Sequence, residues 1–166
     1  MIWQRLKQFM AAVTAHISIA ERVLLVETLS DGELLLFERM PVFDQRHCLD
    51  VYHTLVRNGY TDPLLLRAAL IHDCGKVDDD GTSIPLPYYG IFVVLKALAP
   101  QLYARAAANG RGLLRPFAIH ARHEGRSAAL AEALGSPPEV VAILRDYAAR
   151  NATARSTALH WADEQN

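Results

Sequence analysis

Cysteine is scarce in this chain. The two residues, Cys48 and Cys74, stand in no paired metal spacing, which argues against a disulfide framework. A large charge of one sign is also absent. Lys+Arg 17 against Asp+Glu 18 leaves a net charge of −1, so no extended nucleic-acid surface is expected, although a local basic pocket stays open. No run approaches the 18 uninterrupted apolar residues of a membrane span; GIFVVLKALAP is the longest and it carries Lys96. The first residues hold a basic pair, Arg5 and Lys7, without a long apolar stretch or a cleavage-site pattern. No secretory leader and no membrane partner are therefore expected, and the expected location is cytoplasmic. Internal repeats and low-complexity linkers are lacking too. What is present is 166 residues, 51% hydrophobic and 21% charged, enough for one domain that buries a core without staples.

The apolar periodicity is helical nearly throughout, and the expected fold is an all-α, single compact multi-helix bundle of roughly eight or nine helices. Residues 2–13 place Ile2, Trp3, Leu6, Phe9, Met10 and Val13 on one stripe. Ser18 with Glu21 is a capping-box pattern that starts a helix through about Leu29. Asp31-Gly32 reads as a break, followed by a short apolar segment from Leu34 to Met40. A helix from Val42 to about Asn58 brings Phe43, His47, Val51 and Leu55 to one face. Asp62-Pro63 restarts a helix through LLLRAALIHDC to Gly75. KVDDDGTSIPLP reads as a loop, its acidic run as a solvated turn, and Tyr88 to Leu98 as a helix whose β-branched residues would also tolerate a strand. After Pro100 come an alanine-rich helix, a basic surface loop and a helix from Pro116 to Gly135. Ser136-Pro137-Pro138-Glu139 predicts a capping box and a proline start, with a helix from Pro137 to about Arg150; a last helix runs from about Ala154.

The chemically informative feature is a set of ligand-type residues at positions that should face inward. His72-Asp73 closes a helix too apolar to lie on the surface. A buried carboxylate costs several kcal/mol, of the order of ~3 or more, unless it is paired or metal-bound. Imidazole and carboxylate together suit several divalent ions. His47 lies on the inner face of the preceding helix, whereas His53, six positions on, points to the wrong side.

In that arrangement, DQRHCLDVYHTLVRNGYTDPLLLRAALIHDCGK resembles the front half of an HD-superfamily metal-dependent phosphohydrolase, with a single His first, then the His-Asp doublet, then Gly75-Lys76. IHARHEGRSAALAEALGSPPEVVAILRDY and LHWADEQN resemble later helices of the same family. The resemblance covers roughly 36–166, which implies an HD domain there and leaves 1–35 as an N-terminal helical extension packed on the core. It implies His47, His72, Asp73 and Asp163 as ligands of one divalent metal ion. His120 and His123 fall where members with a second metal add ligands, giving one or two ions per chain, with Mn, Fe, Ni, Co, Zn or Mg compatible. The chain departs from the family in carrying Asp146-Tyr147 where many dinuclear members place histidine, which leaves Asp146 either as a substitute oxygen ligand there or as a competitor of Asp163 for the last position.

The implied reaction is hydrolysis of a small phosphoester, a nucleotide first among them, by a water that the metal acidifies. Asp73, Lys76, His120 and His123 are the expected catalytic residues. Arg46, Lys76, Arg122 and Arg126 are the expected contacts to substrate phosphate. The alternative is a non-catalytic HD module that holds a structural metal and binds a nucleotide or a protein partner. A homo-oligomer remains compatible with either.

Overall fold

The computed structural model describes residues 16–166, so the apolar stripe expected on 2–13 lies outside the described residues. Within them the chain is all-α. Nine α-helices are connected by turns, and the only β feature among the described residues is an isolated bridge between Val77 and Ser83.

Helix α1 (Ile19–Thr28) begins at the expected capping box, in which the Ser18 hydroxyl accepts from the Glu21 amide at 3.2 Å and the Glu21 carboxylate accepts from the Ser18 amide at 2.9 Å. The next segment departs from expectation. Residues from Asp31 form helix α2 (Asp31–Glu38), not a break followed by an irregular apolar stretch. A second capping box, Ser30 with Glu33, satisfies the first amides and tolerates Gly32 within the opening turn. Glu33 is fully buried and accepts from Arg67 of the fourth helix at 3.0 and 2.5 Å. The boundary expected after residue 35 falls inside α2. Leu25, Leu29, Leu36 and Phe37 join the same apolar core as the helices that follow.

Helix α3 (Val42–Arg57) carries Cys48, Leu49, Val51 and Leu55 into that core. Helix α4 (Pro63–Ile71) starts at Asp62, whose side chain accepts from the Leu64 amide at 3.0 Å. It ends at Ile71 rather than reaching Gly75. His72 caps it, Asp73 leaves the helix with φ −102° and ψ 2°, and Cys74–Lys76 make one tight 3-10 turn. Helices α5 (Pro87–Leu98) and α6 (Pro100–Asn109) follow, then a short turn at Gly112–Leu114 and the long helix α7 (Arg115–Ala133).

Helix α8 (Pro138–Ala148) starts one residue later than expected, and the predicted Ser136 capping box is not formed. Pro138 disfavours helical backbone at the residue before it, so Pro137 becomes the cap, with φ −52° and ψ 139°, and the Ser136 hydroxyl is left buried without a partner. Helix α9 (Ala154–Gln165) opens on a capping box between Thr153 and Ser156.

Two apolar cores result. The larger is built by α1–α4, α7, α8 and α9. The smaller joins α5 and α6 to the first half of α7 through Ile84, Phe92, Phe117 and Ile119, with Tyr88, Tyr89 and Tyr103 around them. The Asp73–Lys76 turn lies against α7 at this junction.

Candidate metal centre

Close contact between two backbones sets the geometry here. A side chain on Gly75 would meet the His123 carbonyl oxygen at 2.1 Å and the Ser127 amide at 2.8 Å, so only glycine lets the turn lie this near α7. The Gly75 amide donates to the Ser127 hydroxyl at 2.9 Å, and that hydroxyl donates to the His123 carbonyl at 3.0 Å. Asp73 is thereby held beside His123.

Four side chains from α3, the end of α4, the turn and α9 converge. His47 Nε2 lies 2.9 Å from Asp163 Oδ1 and 3.6 Å from Asp73 Oδ2. His72 Nε2 lies 3.6 Å from Asp73 Oδ2 and 3.7 Å from Asp163 Oδ1. Donor atoms held at ~2.1 Å from one divalent ion stand about 3.0–3.4 Å apart, so His47, His72 and Asp163 need only a small adjustment to share a cation, whereas the Asp73 Oδ2 that faces both histidines is also bonded to Lys76. His47, His72 and Asp163 form one compact trio of donors, and Cys48, His72 and Asp73 another. In the second, Cys48 Sγ contacts His72 Nδ1 at 3.8 Å, and burial raises its thiol pKa despite the nearby His72, which disfavours a thiolate ligand.

The state of His72 tests whether these residues fit a cation. Its Nδ1 donates to the Ala69 carbonyl at 2.8 Å, which orients the ring and turns Nε2 inward. Nε2 is buried and has no hydrogen-bond partner, yet faces two carboxylates. A buried ring nitrogen in such surroundings is satisfied by a cation or by a proton of its own. The electrostatics agree. Burial opposes charge on His72, but the neighbouring Asp73 carboxylate outweighs it and raises its pKa well above the usual value. Burial would raise the Asp163 carboxyl, but His47 and His72 hold it far below the usual carboxylate range.

Access is one-sided. The His72 side chain is fully buried, whereas those of His47 and Asp163 are 25% and 30% exposed, so the cluster opens along the α3–α9 edge. Tyr147 of α8 backs Asp163, donating to Oδ2 at 2.7 Å. Asp146, the rival to Asp163, instead accepts from Asn151 at 3.1 Å.

Lys76 is neither exposed nor extended toward solvent. It is 8% exposed, and its ammonium contacts Asp73 Oδ2 at 2.5 Å and Asp44 Oδ1 at 3.4 Å. Asp44 also accepts from the Tyr89 hydroxyl at 3.0 Å. Burial would raise the Asp73 carboxyl, but Lys76 and His72 hold it well below the usual range. His123 Nδ1 pairs with the His120 carbonyl at 2.6 Å, which leaves Nε2 facing Asp73 Oδ1 at 3.3 Å. His120 sits farther into the aromatic core, with Nδ1 2.6 Å from the Tyr103 hydroxyl and its ring centroid 4.2 Å from that of Phe92.

The arginines have other partners. Arg46 binds Glu21 and Asp50 at 2.6 and 3.0 Å. Arg126 ties the acidic turn to α7 through Asp79 at 2.7 Å and the Val77 carbonyl. Arg122 donates to the Ala118 carbonyl at 3.1 Å and, with Arg126, Asp78, Asp79 and Ile119, lines a surface cleft of about 340 Å³. The site residues that sequence reading passed over are Asp44, Tyr89 and Tyr147. Asp44 was accessible to it, because it precedes His47 by three residues on the same helix; Tyr147 and Tyr89 carry no such local signal.

Compared with family models, with curated proteins and with solved structures, the chain matches none.

Proposed function

We propose that the chain is a metal-dependent phosphohydrolase acting on a small phosphoester, a nucleotide first among the candidates. The observation that carries this reading is the buried, partnerless His72 Nε2 aimed between two carboxylates, with His47 completing the set. His47, His72, Asp73 and Asp163 would hold a divalent ion. When bound, such an ion supplies an acidified water and neutralises charge on a phosphoryl oxygen.

The chain's own groups have distinct tasks in this reading. The phosphoester would approach from the His47–Asp163 edge, where the side chains are 25% and 30% exposed and leave a ligand position that a closed structural metal site lacks. Lys76, held by Asp44, offsets the charge of Asp73 and fixes its orientation. His123, whose Nδ1 pairs with the His120 carbonyl, can accept or deliver a proton only at Nε2, the atom facing Asp73. The phosphate-contact roles of Arg46, Arg122 and Arg126 would require them to exchange their present partners.

Elemental analysis of the purified chain, followed by phosphate-release assays on a generic phosphodiester and a nucleotide panel with Mn, Co, Ni or Mg, tests the proposal. Bound metal and turnover are expected, with both lost in Asp73→Ala. Full turnover in Asp73→Ala would overturn the assignment, and tightly held metal without any turnover would favour the non-catalytic module.

A further inference from the structure

Away from the metal centre, charge is distributed unevenly along the chain. Residues 81–123 contain five Lys and Arg residues and no Asp or Glu, against a whole-chain balance of 17 to 18. That stretch forms α5, α6 and the approach to α7.

Helices α5 and α6 turn Phe92, Leu95, Tyr103, Ala106 and Ala107 inward onto the smaller core. The remaining face of α5 is apolar as well, whereas that of α6 carries Gln101, Arg105 and Asn109. Ile91, Val94 and Leu98 recur along α5 at helical spacing and are 43%, 54% and 81% exposed. Leu102 on α6 and Leu113 in the following turn are 54% and 83% exposed. Among the described residues, Lys96, Arg105 and Arg111 form no ion pair; Lys96 leaves α5 on the flank beside α6, with its ammonium over the Tyr103 ring at 5.1 Å, and Glu124, which acts on it electrostatically, is paired with Arg150. Arg115 and Arg126, by contrast, are neutralised by the acidic turn.

We infer that the outer side of the α5–α6 layer docks on an anionic lipid surface. Protruding aliphatic side chains enter the acyl boundary while unpaired cations meet the headgroups, the division of labour of an interfacial helix. A second copy fits poorly, because a two-fold contact sets this acid-free face against itself. A protein partner fits less well than lipid, because the aromatic side chains that anchor such interfaces, Tyr88, Tyr89 and Tyr103, are turned into the core. The inference does not depend on the metal centre. No helix among the described residues is long and apolar enough to cross a membrane, so the contact is peripheral.

Co-sedimentation of the full chain with phosphatidylcholine vesicles, with and without phosphatidylglycerol, tests it. Binding is expected only with the anionic lipid and is expected to weaken with salt. The double variants Leu98→Ser/Leu102→Ser and Lys96→Glu/Arg105→Glu, at exposed positions and checked for native circular dichroism, are each expected to lower the partition coefficient about tenfold or more. The inference is overturned if anionic vesicles do not retain the chain, or if the variants bind as the unsubstituted chain does. It is equally overturned if polyglutamate captures the chain and vesicles do not, or if Leu98→Ser/Leu102→Ser abolishes a dimer in a chain that ignores lipid.

Discussion

His47 Nε2 and Asp163 Oδ1 lie 2.9 Å apart across 116 residues of chain. The contact joins the middle of α3 to the end of α9, and Tyr147 from α8 secures its far side. Three helices thus position one carboxylate.

Tyr147→Phe removes only the hydroxyl that donates to Asp163 Oδ2 at 2.7 Å. Loss of such a supporting hydrogen bond weakens cation binding roughly tenfold. Titration calorimetry with Mn²⁺ or Zn²⁺ should show that loss with unchanged circular dichroism. An unaltered affinity would mean that Asp163 is not a ligand.

Gly75→Ala places a methyl group 2.1 Å from the His123 carbonyl oxygen. The turn and α7 must then separate, at a cost of about 1–3 kcal/mol. Urea unfolding should show a lower midpoint with an unchanged slope. A midpoint equal to that of the unsubstituted chain would show that the two backbones are not in contact.

His120 gives the stability a pH dependence. Burial in the aromatic core, reinforced by the neighbouring His123, pushes its pKa down from 6.5 to about 3. Between those values the unfolded chain binds a proton that the folded chain excludes. Stability therefore falls as pH drops below ~6.5, by up to about 1.4 kcal/mol per pH unit from this residue. Urea midpoints across that range should decline less steeply in His120→Phe. Identical slopes would mean that the folded ring titrates like an exposed histidine.

Much of the helical architecture is legible one element at a time. Ser18 with Glu21 and Asp62 with Pro63 are local signals, in which a side chain satisfies amides two or three residues away, and the helices begin where those signals stand. The same logic was available for Ser30 with Glu33 and was obscured by the Asp31-Gly32 pair, which resembles a turn. It misled at Ser136, where the second of two prolines excluded the first from the helix.

The composition and order of residues in the chain determine an all-α molecule and supply histidines and carboxylates whose types and spacing suit a cation. Tertiary structure alone decides which of them meet. Asp163 joins the cluster and Asp146 does not, Lys76 turns inward to Asp73 and Asp44, and α5 keeps Ile91, Val94 and Leu98 outward. The difference is one of range. A helix cap is settled within a single turn, whereas a cluster drawn from α3, α4 and α9 exists only after burial of the core has fixed how those helices cross.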